Sequence, residues 1–155
     1  MITREDGYEI SSDPQRLDLD RIYTWLSTDA YWAVGRTRDM VATSITGSIV
    51  YGVYRPDGVQ VAFARAVTDG ATFAWLCDVY VDRAERGKGL GTWLVTAVRD
   101  DLAERGVRRI LLATLDAHGL YTKLGFKEVP HDRYLEYDRR GVATGAAQAR
   151  PAADQ

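Results

Sequence analysis

Cysteine, histidine and long apolar runs are all scarce in this chain of 155 residues. The single cysteine, Cys77, excludes a disulfide within the chain, and the two histidines form no Cys/His cluster with zinc-site spacing. No apolar run approaches the ~20 residues of a membrane span, and the opening MITREDGYEI lacks the apolar segment of a signal peptide. We therefore expect a soluble cytoplasmic protein with no metal and no membrane partner.

The chain also has little net charge. A formal charge of −2 at pH 7 supplies no overall attraction for nucleic acid, so any anion site must be local. A content of 46% hydrophobic and 27% charged residues is ordinary for a globular protein, and the length suits one domain. Large apolar residues disappear after Gly141. We predict one domain over residues 1–140 and a disordered tail over 141–155.

Apolar spacing predicts helices and strands in mixed order. Predicted helices lie at 17–28, 37–46, 89–106 and 117–124. Predicted strands lie at 8–10, 48–55, 59–68, 71–81 and 108–114, and the segments FKEV (126–129) and YLEYD (134–138) are predicted to form a last hairpin. This order is α+β, and a helix that crosses over between strands 71–81 and 108–114 would make those two strands parallel.

The stretch VDRAERGKGLGTWLV, residues 81–95, places three glycines between a strand and a helix. A helix that begins near Gly89 exposes N–H groups that attract phosphate, and glycines let an anion approach the backbone closely. Arg86 and Lys88 add positive charge at the same point. The pattern favours a polyphosphate ligand, and the alternative is a glycine-rich turn with solvated charges.

Two segments of the sequence carry a family resemblance. Arg86-Gly87-Lys88-Gly89-Leu90-Gly91 matches the (Gln/Arg)-x-x-Gly-x-(Gly/Ala) acetyl-CoA signature of the GNAT N-acetyltransferase superfamily. Downstream, Leu120-Tyr121-Thr122-Lys123-Leu124-Gly125-Phe126 resembles that family's Leu-Tyr-x-x-x-Gly-Phe segment, at the right separation. The resemblance covers residues 71–129 and implies an α+β, αβα sandwich-like fold whose mixed central sheet contains a splayed pair of parallel strands.

The resemblance also implies where acetyl-CoA, the expected co-substrate, would bind. Val79 and Val81 would pair with the pantetheine amides, and the backbone N–H groups after them would hold the pyrophosphate. Thr114 stands where the family often has an asparagine. The complete set of implied cofactor-binding residues is Val79, Val81, Arg86, Gly87, Lys88, Gly89, Leu90, Gly91, Thr92 and Thr114.

Transfer of an acetyl group from a thioester to an amine needs an acid for the departing thiolate and a base for the amine. Tyr121 occupies the family's general-acid position. The alternative is that Tyr121 is an aromatic residue of the core and takes no part in the chemistry. We expect Asp78 as the base, because strand alternation places it with Tyr80 opposite an apolar face. That apolar face contains Phe73, Trp75, Cys77, Val79 and Val81. Asp78 can equally pair with an arginine, and a bulge would invert the alternation.

Three further titratable side chains lie near Asp78 or Tyr121 in the sequence. His118, three residues before Tyr121, is a second candidate base, with solvent exposure as its alternative. Cys77 is expected to be an inert core residue, so we predict direct transfer without a covalent enzyme intermediate. Asp116 is expected to cap the helix that follows it.

The acceptor is expected to contact the loop between the first two helices. Tyr31, Trp32 and Arg36 can stack on and pair with an aromatic or anionic acceptor, although Trp32 can equally anchor the loop in the core. We expect an N-acetyltransferase that acts on the primary amine of a small molecule. The alternatives are a protein or peptide N-acetyltransferase and a non-catalytic acyl-CoA-binding module, each as a monomer or homodimer.

Overall fold

The computed structural model describes residues 1–138, so the predicted tail at 141–155 lies outside the described residues. The chain divides into two compact units, Met1–Gly125 and Phe126–Gln155. The single domain over residues 1–140 stays a prediction.

The first unit contains six strands and four α-helices. The strands are β1 (Ile2–Thr3), β2 (Glu9–Ser11), β3 (Ile49–Tyr54), β4 (Gln60–Thr68), β5 (Ala74–Val81) and β6 (Ile110–Leu111). The helices are α1 (Leu19–Thr28), α2 (Arg38–Thr46), α3 (Leu90–Glu104) and α4 (His118–Lys123), and short 3₁₀ helices lie at Pro14–Arg16 and Arg83–Glu85. The four predicted helices and the strands β2 to β5 are confirmed to within about three residues at their ends, whereas β1 was not predicted.

The strands form one mixed sheet in the order β1-β2-β3-β4-β5-β6. All neighbours are antiparallel except β5 and β6, which are parallel and joined through α3, as the crossover predicted. The parallel ladder holds only Ala74 opposite Ile110 and Trp75 opposite Leu111. Because β5 continues to Val81 beyond this pairing, the two strands separate along the second half of β5. The mixed sheet with a splayed parallel pair is therefore confirmed, and β6 is shorter than the predicted strand 108–114.

Helices cover both faces of the sheet. On one face, Ile22, Trp25 and Leu26 of α1 are buried in a cluster that includes Tyr80, whose ring stacks on Trp25 at 5.3 Å between centroids. On the other face lies α3, whose first turn contacts Val81, the residue after Tyr80. Its buried residues are Leu90, Leu94, Val95, Ala97, Val98 and Leu102.

Gly106 ends α3 as predicted. Its φ of +89° is the left-handed conformation that glycine adopts without strain. The N–H groups of Gly106 and Val107 donate to the carbonyls of Ala103 and Leu102, which is the Schellman pattern.

The predicted last hairpin is wrong for the described residues. Residues 126–138 contain no strand, and their only regular element is the 3₁₀ turn His131–Arg133. Leu135 is fully exposed and Tyr137 is 84% exposed, so the alternating apolar side chains of this segment have no core to stabilise a strand. Pro130 in addition lacks the N–H group that a ladder needs.

The predicted core face of β5 is also wrong. Ala74, Leu76, Asp78 and Tyr80 are buried, whereas Trp75 is 37% exposed and Cys77 is half-buried. The face that carries Asp78 is covered by the helix layer of α1 and α2, while Trp75 lies where the sheet has only the two-residue β6 beside it.

Candidate active site

The glycine-rich loop joins β5 to α3 in the way the sequence predicted. Gly87 and Gly89 have φ values of +82° and +75°, and Gly89 is the N-cap of α3 with no side-chain hydrogen bond. The N–H groups of Leu90, Gly91 and Thr92 have no acceptor within the helix because they belong to its first turn. A Cβ atom on Gly87 or Gly89 would meet no atom within 4 Å, so the loop borders open space.

The two basic side chains of this loop are already paired within the protein. Arg86 Nε donates to the carbonyl of Val81 at 3.0 Å, and its Nη2 donates to Asp29 at 3.2 Å. Lys88 Nζ lies 2.7 Å from Glu85, and the hydrogen bond from Lys88 lowers the pKa of the Glu85 carboxyl. Because both side-chain charges are already paired with carboxylates, we expect the backbone N–H groups to be the main donors for an anion at this helix start.

Asp29, at the end of α1, connects the glycine-rich loop to the loop between the first two helices. Its carboxylate accepts from Arg83, from the hydroxyl of Tyr80 at 2.6 Å and from Arg86. The Arg83 hydrogen bond, followed by that of Tyr80, holds the pKa of Asp29 well below its usual range. This carboxylate thus stays charged at neutral pH and fixes the position of Arg86.

The outer edge of β5 exposes backbone groups at its end. Asp82 N–H donates to the carbonyl of Val61 beside β4, and Tyr80 pairs with Phe63 in the same register. Because alternate residues of a strand direct their amides to opposite edges, the amides of Val79 and Val81 face away from β4. Among residues 1–138 no strand pairs with that edge beyond Trp75.

Helix α4 brings Tyr121 to the same place. A Cβ atom on Gly91 would lie 3.6 Å from both Leu120 Cδ1 and Val81 Cγ2, so the start of α3, the end of β5 and α4 meet at this glycine. Arg99 of α3 donates to the carbonyl of Leu124 at 3.2 Å and holds the end of α4. The proposed phosphate loop and the helix that contains the proposed acid are therefore adjacent in the fold.

Tyr121 is half-buried. Burial raises the pKa of its phenol to about 12, with smaller contributions from the charge of Asp116 and from Tyr31. A phenol with this pKa stays protonated throughout the physiological range, as a proton donor must.

The start of α4 differs from expectation. Asp116 does not cap the helix, because the N-cap is Ala117 and has no side-chain hydrogen bond. Instead Thr114 Oγ1 accepts from the N–H of Ala117 at 3.1 Å, so this predicted cofactor residue shapes the turn before α4. His118 is exposed in the first turn of α4.

Asp78 lies in a β-bulge. Two residues of β5, Asp78 and Val79, stand opposite the single Ala64 of β4, and Asp78 has a φ of +51°. Its side chain is 1% exposed. A non-glycine residue in this conformation is uncommon and is found where surrounding contacts hold it in place.

Four hydrogen bonds surround this buried carboxylate. Arg36 Nη1 donates to both oxygens at 2.9 Å, Arg65 Nε donates to Oδ2 at 2.6 Å, and Trp32 Nε1 donates to Oδ1 at 3.1 Å. The structure thus joins the candidate base to two of the three candidate acceptor residues. Because both oxygens already accept from donors, these contacts correspond to the alternative in which Asp78 pairs with arginine.

Tyr31 and Trp32 lie together at the surface beside this cluster. Their rings meet edge to face at 5.0 Å, and the two residues are 48% and 38% exposed. The hydroxyl of Tyr31 accepts from the N–H of Leu115 at 3.2 Å, which joins the α1–α2 loop to the segment before α4. Trp32 therefore both fixes the loop to Asp78 and retains an exposed surface.

Cys77 is half-buried, and burial raises the pKa of its thiol. A thiol with a raised pKa contains little thiolate at neutral pH, which makes it a poor nucleophile. This supports the expectation that Cys77 is inert.

Arg65, Asp29 and Glu85 were missed by the sequence analysis. Arg65 had a usable signal, because it is the only charged residue within the apolar strand Gln60–Thr68, where a charge requires a partner. Asp29 and Glu85 lie in polar surroundings in the sequence, and no local pattern distinguishes them. Among residues 1–138, no group of three or more His, Cys, Asp or Glu side chains could hold a metal, and no helix is long and apolar enough to cross a membrane.

Known proteins share this combination of fold and sequence. The profile of the Acetyltransferase (GNAT) family matches residues 19–126. The Gibberella zeae protein "Putative acetyltransferase FG08082" is 33% identical, with the alignment covering 91% of this chain and 88% of that protein. The crystal structure of a GNAT-family protein from Xanthomonas campestris pv. campestris is 38% identical and superimposes with a TM-score of 0.80 over 89% of this chain and 98% of that one.

A third similar structure has a named acceptor. The ribosomal-protein-S18-alanine N-acetyltransferase from Escherichia coli is 25% identical, with a TM-score of 0.66 over 79% of each chain. The fold and the matched residues define an acyltransferase with the acyl-CoA N-acyltransferase architecture. The chain belongs to the GNAT family of acetyltransferases, whose members generally use acetyl-CoA as co-substrate.

Proposed function

We propose that this enzyme transfers the acetyl group of acetyl-CoA directly to the primary amine of a small molecule. One observation carries the proposal: the uncapped start of α3 and the unpaired edge of β5 meet at Gly91, against the helix that contains Tyr121. The first feature suits a phosphate, the second an extended chain with amide groups, and the third a proton donor.

The chain's own residues fit acetyl-CoA in three places. The N–H groups of residues 86–92 would hold the pyrophosphate, since the open space beside Gly87 and Gly89 lets phosphate oxygens approach. The outward amides of Val79 and Val81 would pair with the pantetheine arm. Thr114 would approach the same arm from the start of α4. The bound co-substrate supplies an activated acetyl thioester.

Tyr121 would protonate the departing sulfur. Its raised pKa ensures that the proton is present, but a phenol of pKa about 12 is a weaker acid than a thiol of pKa ~8.5. The hydroxyl would therefore first stabilise the developing charge through a hydrogen bond and transfer its proton as the C–S bond breaks.

The amine must lose a proton before or during the attack, since an alkylammonium is not nucleophilic. Asp78 would have to release one of its three donors, Arg36 Nη1, Arg65 Nε or Trp32 Nε1, to accept that proton. The exposed His118 or a water molecule accepts it without breaking an existing ion pair. We therefore propose that Asp78 orders the acceptor side and that proton removal occurs through His118 or water.

The contact between Tyr31 and Leu115 supports a small acceptor. It closes the α1–α2 loop onto the segment before α4, where an extended peptide would otherwise need an open groove. Similarity to the Escherichia coli enzyme that acetylates an alanine of ribosomal protein S18 favours a protein N-terminus as the second candidate.

A screen of amines with acetyl-CoA, read out as free thiol release, tests the proposal. We expect release that depends on at least one small amine and exceeds release with peptides that begin with alanine. Faster turnover with the peptides would favour the second candidate. Acetyl-CoA binding by calorimetry without release for any amine would indicate a non-catalytic binding module.

A further inference from the structure

We propose that the amine acceptor also carries an oxyanion, either a carboxylate or a phosphate, and that Arg36 binds it. This inference rests on the proposed function and specifies its substrate class. Three features of the structure support it: the balance of charge around Asp78, the orientation of the Arg36 guanidinium and the position of the cluster beside the acceptor loop.

The cluster contains more positive than negative charge. Arg36 and Arg65 both pair with the single carboxylate of Asp78, which leaves one positive charge uncompensated. Asp29 pairs with Arg83 and Asp20 with Arg38, and the exposed Asp39 at the start of α2 forms no ion pair with Arg36. An anion is the ligand that would balance this charge in a partly buried position.

Arg36 is the arginine that a ligand can reach. Its side chain is 27% exposed, against 11% for Arg65, whose Nη1 also donates to Ser48 at 3.2 Å. Arg36 uses only Nη1 for Asp78. Among residues 1–138 its Nε–H and Nη2–H groups have no hydrogen-bond acceptor, and they form the planar edge that binds a carboxylate or phosphate through two parallel bonds.

Asp78 holds that edge in place. A guanidinium bound on one side by a buried carboxylate loses its freedom to rotate, so less entropy remains to be lost when a ligand binds. Trp32 donates to the same carboxylate and has an exposed ring surface next to it. The adjacent Tyr31 connects this loop to the segment that precedes Tyr121. An anion on Arg36 would therefore lie on the acceptor side of the proposed site.

Paired amines that differ only in the anion test the inference. The probes are the common α-amino acids against their amides, and 2-aminoethyl phosphate against ethanolamine, each with acetyl-CoA. We expect the anionic member of an accepted pair to have the higher kcat/KM, and Arg36→Gln to lower that value by about 10–100-fold, as for loss of charge-assisted hydrogen bonds. The neutral member should lose less than the anionic one, so the ratio of the two kcat/KM values should fall. Whether the carboxylate or the phosphate series responds identifies the anion.

Arg38→Gln is the matched control. It removes the same charge two residues away, where within residues 1–138 Arg38 pairs only with the exposed Asp20, and it should leave the preference unchanged. Because Arg36→Gln leaves Asp78 with one arginine, Arg36→Lys is measured beside it, with the melting temperature of each variant. Lysine keeps the charge near Asp78 and lacks the planar edge, so it should keep the stability and lose most of the preference.

A binding measurement does not depend on turnover. The ¹⁵N resonance of Arg36 Nε, identified by its absence in Arg36→Lys, should shift on titration with the anionic probes and remain in place with their neutral partners. The inference is overturned if the chemical shift of this resonance does not change with the anionic probes. It is also overturned if the accepted amines all lack an oxyanion, or if Arg36→Gln slows both members of a pair equally. The proposed function itself fails if acetyl-CoA does not bind, if no amine releases thiol, or if peptides are acetylated faster than every small amine.

Discussion

Asp78 combines burial, charge and a strained backbone in one residue. A φ of +51° is costly for most side chains, and Asp and Asn are among the few that adopt it at moderate cost. The bulge turns its carboxylate toward two arginines and Trp32. The residue therefore links the central sheet to the loop that we expect to contact the acceptor.

Asp78→Asn separates a structural role from a basic one, because asparagine keeps the shape and tolerates the same φ. Leaving two guanidinium groups without their carboxylate should destabilise the fold by about 3 kcal/mol, the low end for a broken buried pair, since Arg36 is partly exposed. This corresponds to a loss of roughly 6–12 °C in melting temperature for a domain of this size. We expect kcat to fall by less than about tenfold at a temperature where the variant is folded.

The opposite result, a loss of turnover without a loss of stability, would identify Asp78 as the general base. An unchanged melting temperature together with a fall in kcat of about 10²-fold or more would mean that Asp78 accepts the proton of the amine. Calorimetry and turnover on the same preparation give both values.

Tyr121→Phe removes only the hydroxyl of the proposed acid. We expect kcat to fall by about 10²-fold, toward the lower end of the usual range for general acids, because the raised pKa of Tyr121 makes it a weak acid. The affinity for acetyl-CoA should stay within a few-fold, since the ring still packs and the phosphate loop is unchanged. Near-native turnover when chemistry limits the rate would make Tyr121 a packing residue.

The pH profile gives a second test of Tyr121. Its folded-state pKa of about 12 lies above the ordinary value near 10, so the protonated form persists as the pH rises through 10. We expect no fall in kcat attributable to Tyr121 below about pH 11. A fall in kcat near pH 9 that disappears in Tyr121→Phe would contradict the raised pKa of Tyr121, although it would still identify Tyr121 as the acid.

At the scale of elements, the loop between β5 and α3 is expected to act through its backbone. Gly89→Ala places a methyl group in the open space where phosphate oxygens would lie, and we expect acetyl-CoA affinity to fall by about tenfold or more. The substitution also introduces strain, because the φ of Gly89 is +75°.

Gly106→Ala controls for that strain. Gly106 has a φ of +89° and open space around it at the other end of α3, so alanine there carries the same penalty away from the site. Calorimetric titration of both variants should show weaker binding for Gly89→Ala alone. Equal affinities would exclude a phosphate position beside Gly89.

The sequence predicted those elements whose local pattern and tertiary environment agree. Helix α3 begins at its glycine loop and ends at Gly106 because apolar periodicity, glycine positions and burial all indicate the same bounds. The last hairpin failed because alternation at residues 126–138 was not accompanied by burial. The core face of β5 was assigned incorrectly, since both faces carry large apolar side chains and only the packing of α1 and α2 distinguishes them.

The candidate site also contains residues whose arrangement is local and residues that only the fold brings together. The residues proposed to bind the pyrophosphate follow one another in a single loop, so their arrangement depends on local conformation and the sequence alone indicates it. The Asp78 cluster joins residues from the α1–α2 loop, β4 and β5. Its geometry depends on a β-bulge whose position no local sequence pattern indicates. Arg36 and Asp78 were both singled out, but their contact through Arg65 and Trp32 required the fold.

At the scale of the whole molecule, acetyl-CoA bound as proposed would extend the sheet along the open edge of β5. An extended ligand that pairs with the open edge of β5 and with the start of α3 contacts elements that unfold together, and it binds only the native state. At a free concentration 100 times Kd this should add about 2.7 kcal/mol to the free energy of unfolding. For a chain of 155 residues that corresponds to a rise of roughly 5–10 °C in melting temperature.

Scanning calorimetry across a series of acetyl-CoA concentrations measures this rise in melting temperature. CoA without the acetyl group should give most of the rise, because the pyrophosphate and pantetheine contacts remain. Gly89→Ala should require about tenfold more ligand for the same rise, while Gly106→Ala should follow the native curve from its own lower starting temperature. Stabilisation of native protein and Gly89→Ala at identical concentrations would place the ligand away from the start of α3. A melting temperature that does not change with acetyl-CoA concentration would mean that the open edge of β5 does not bind the pantetheine arm.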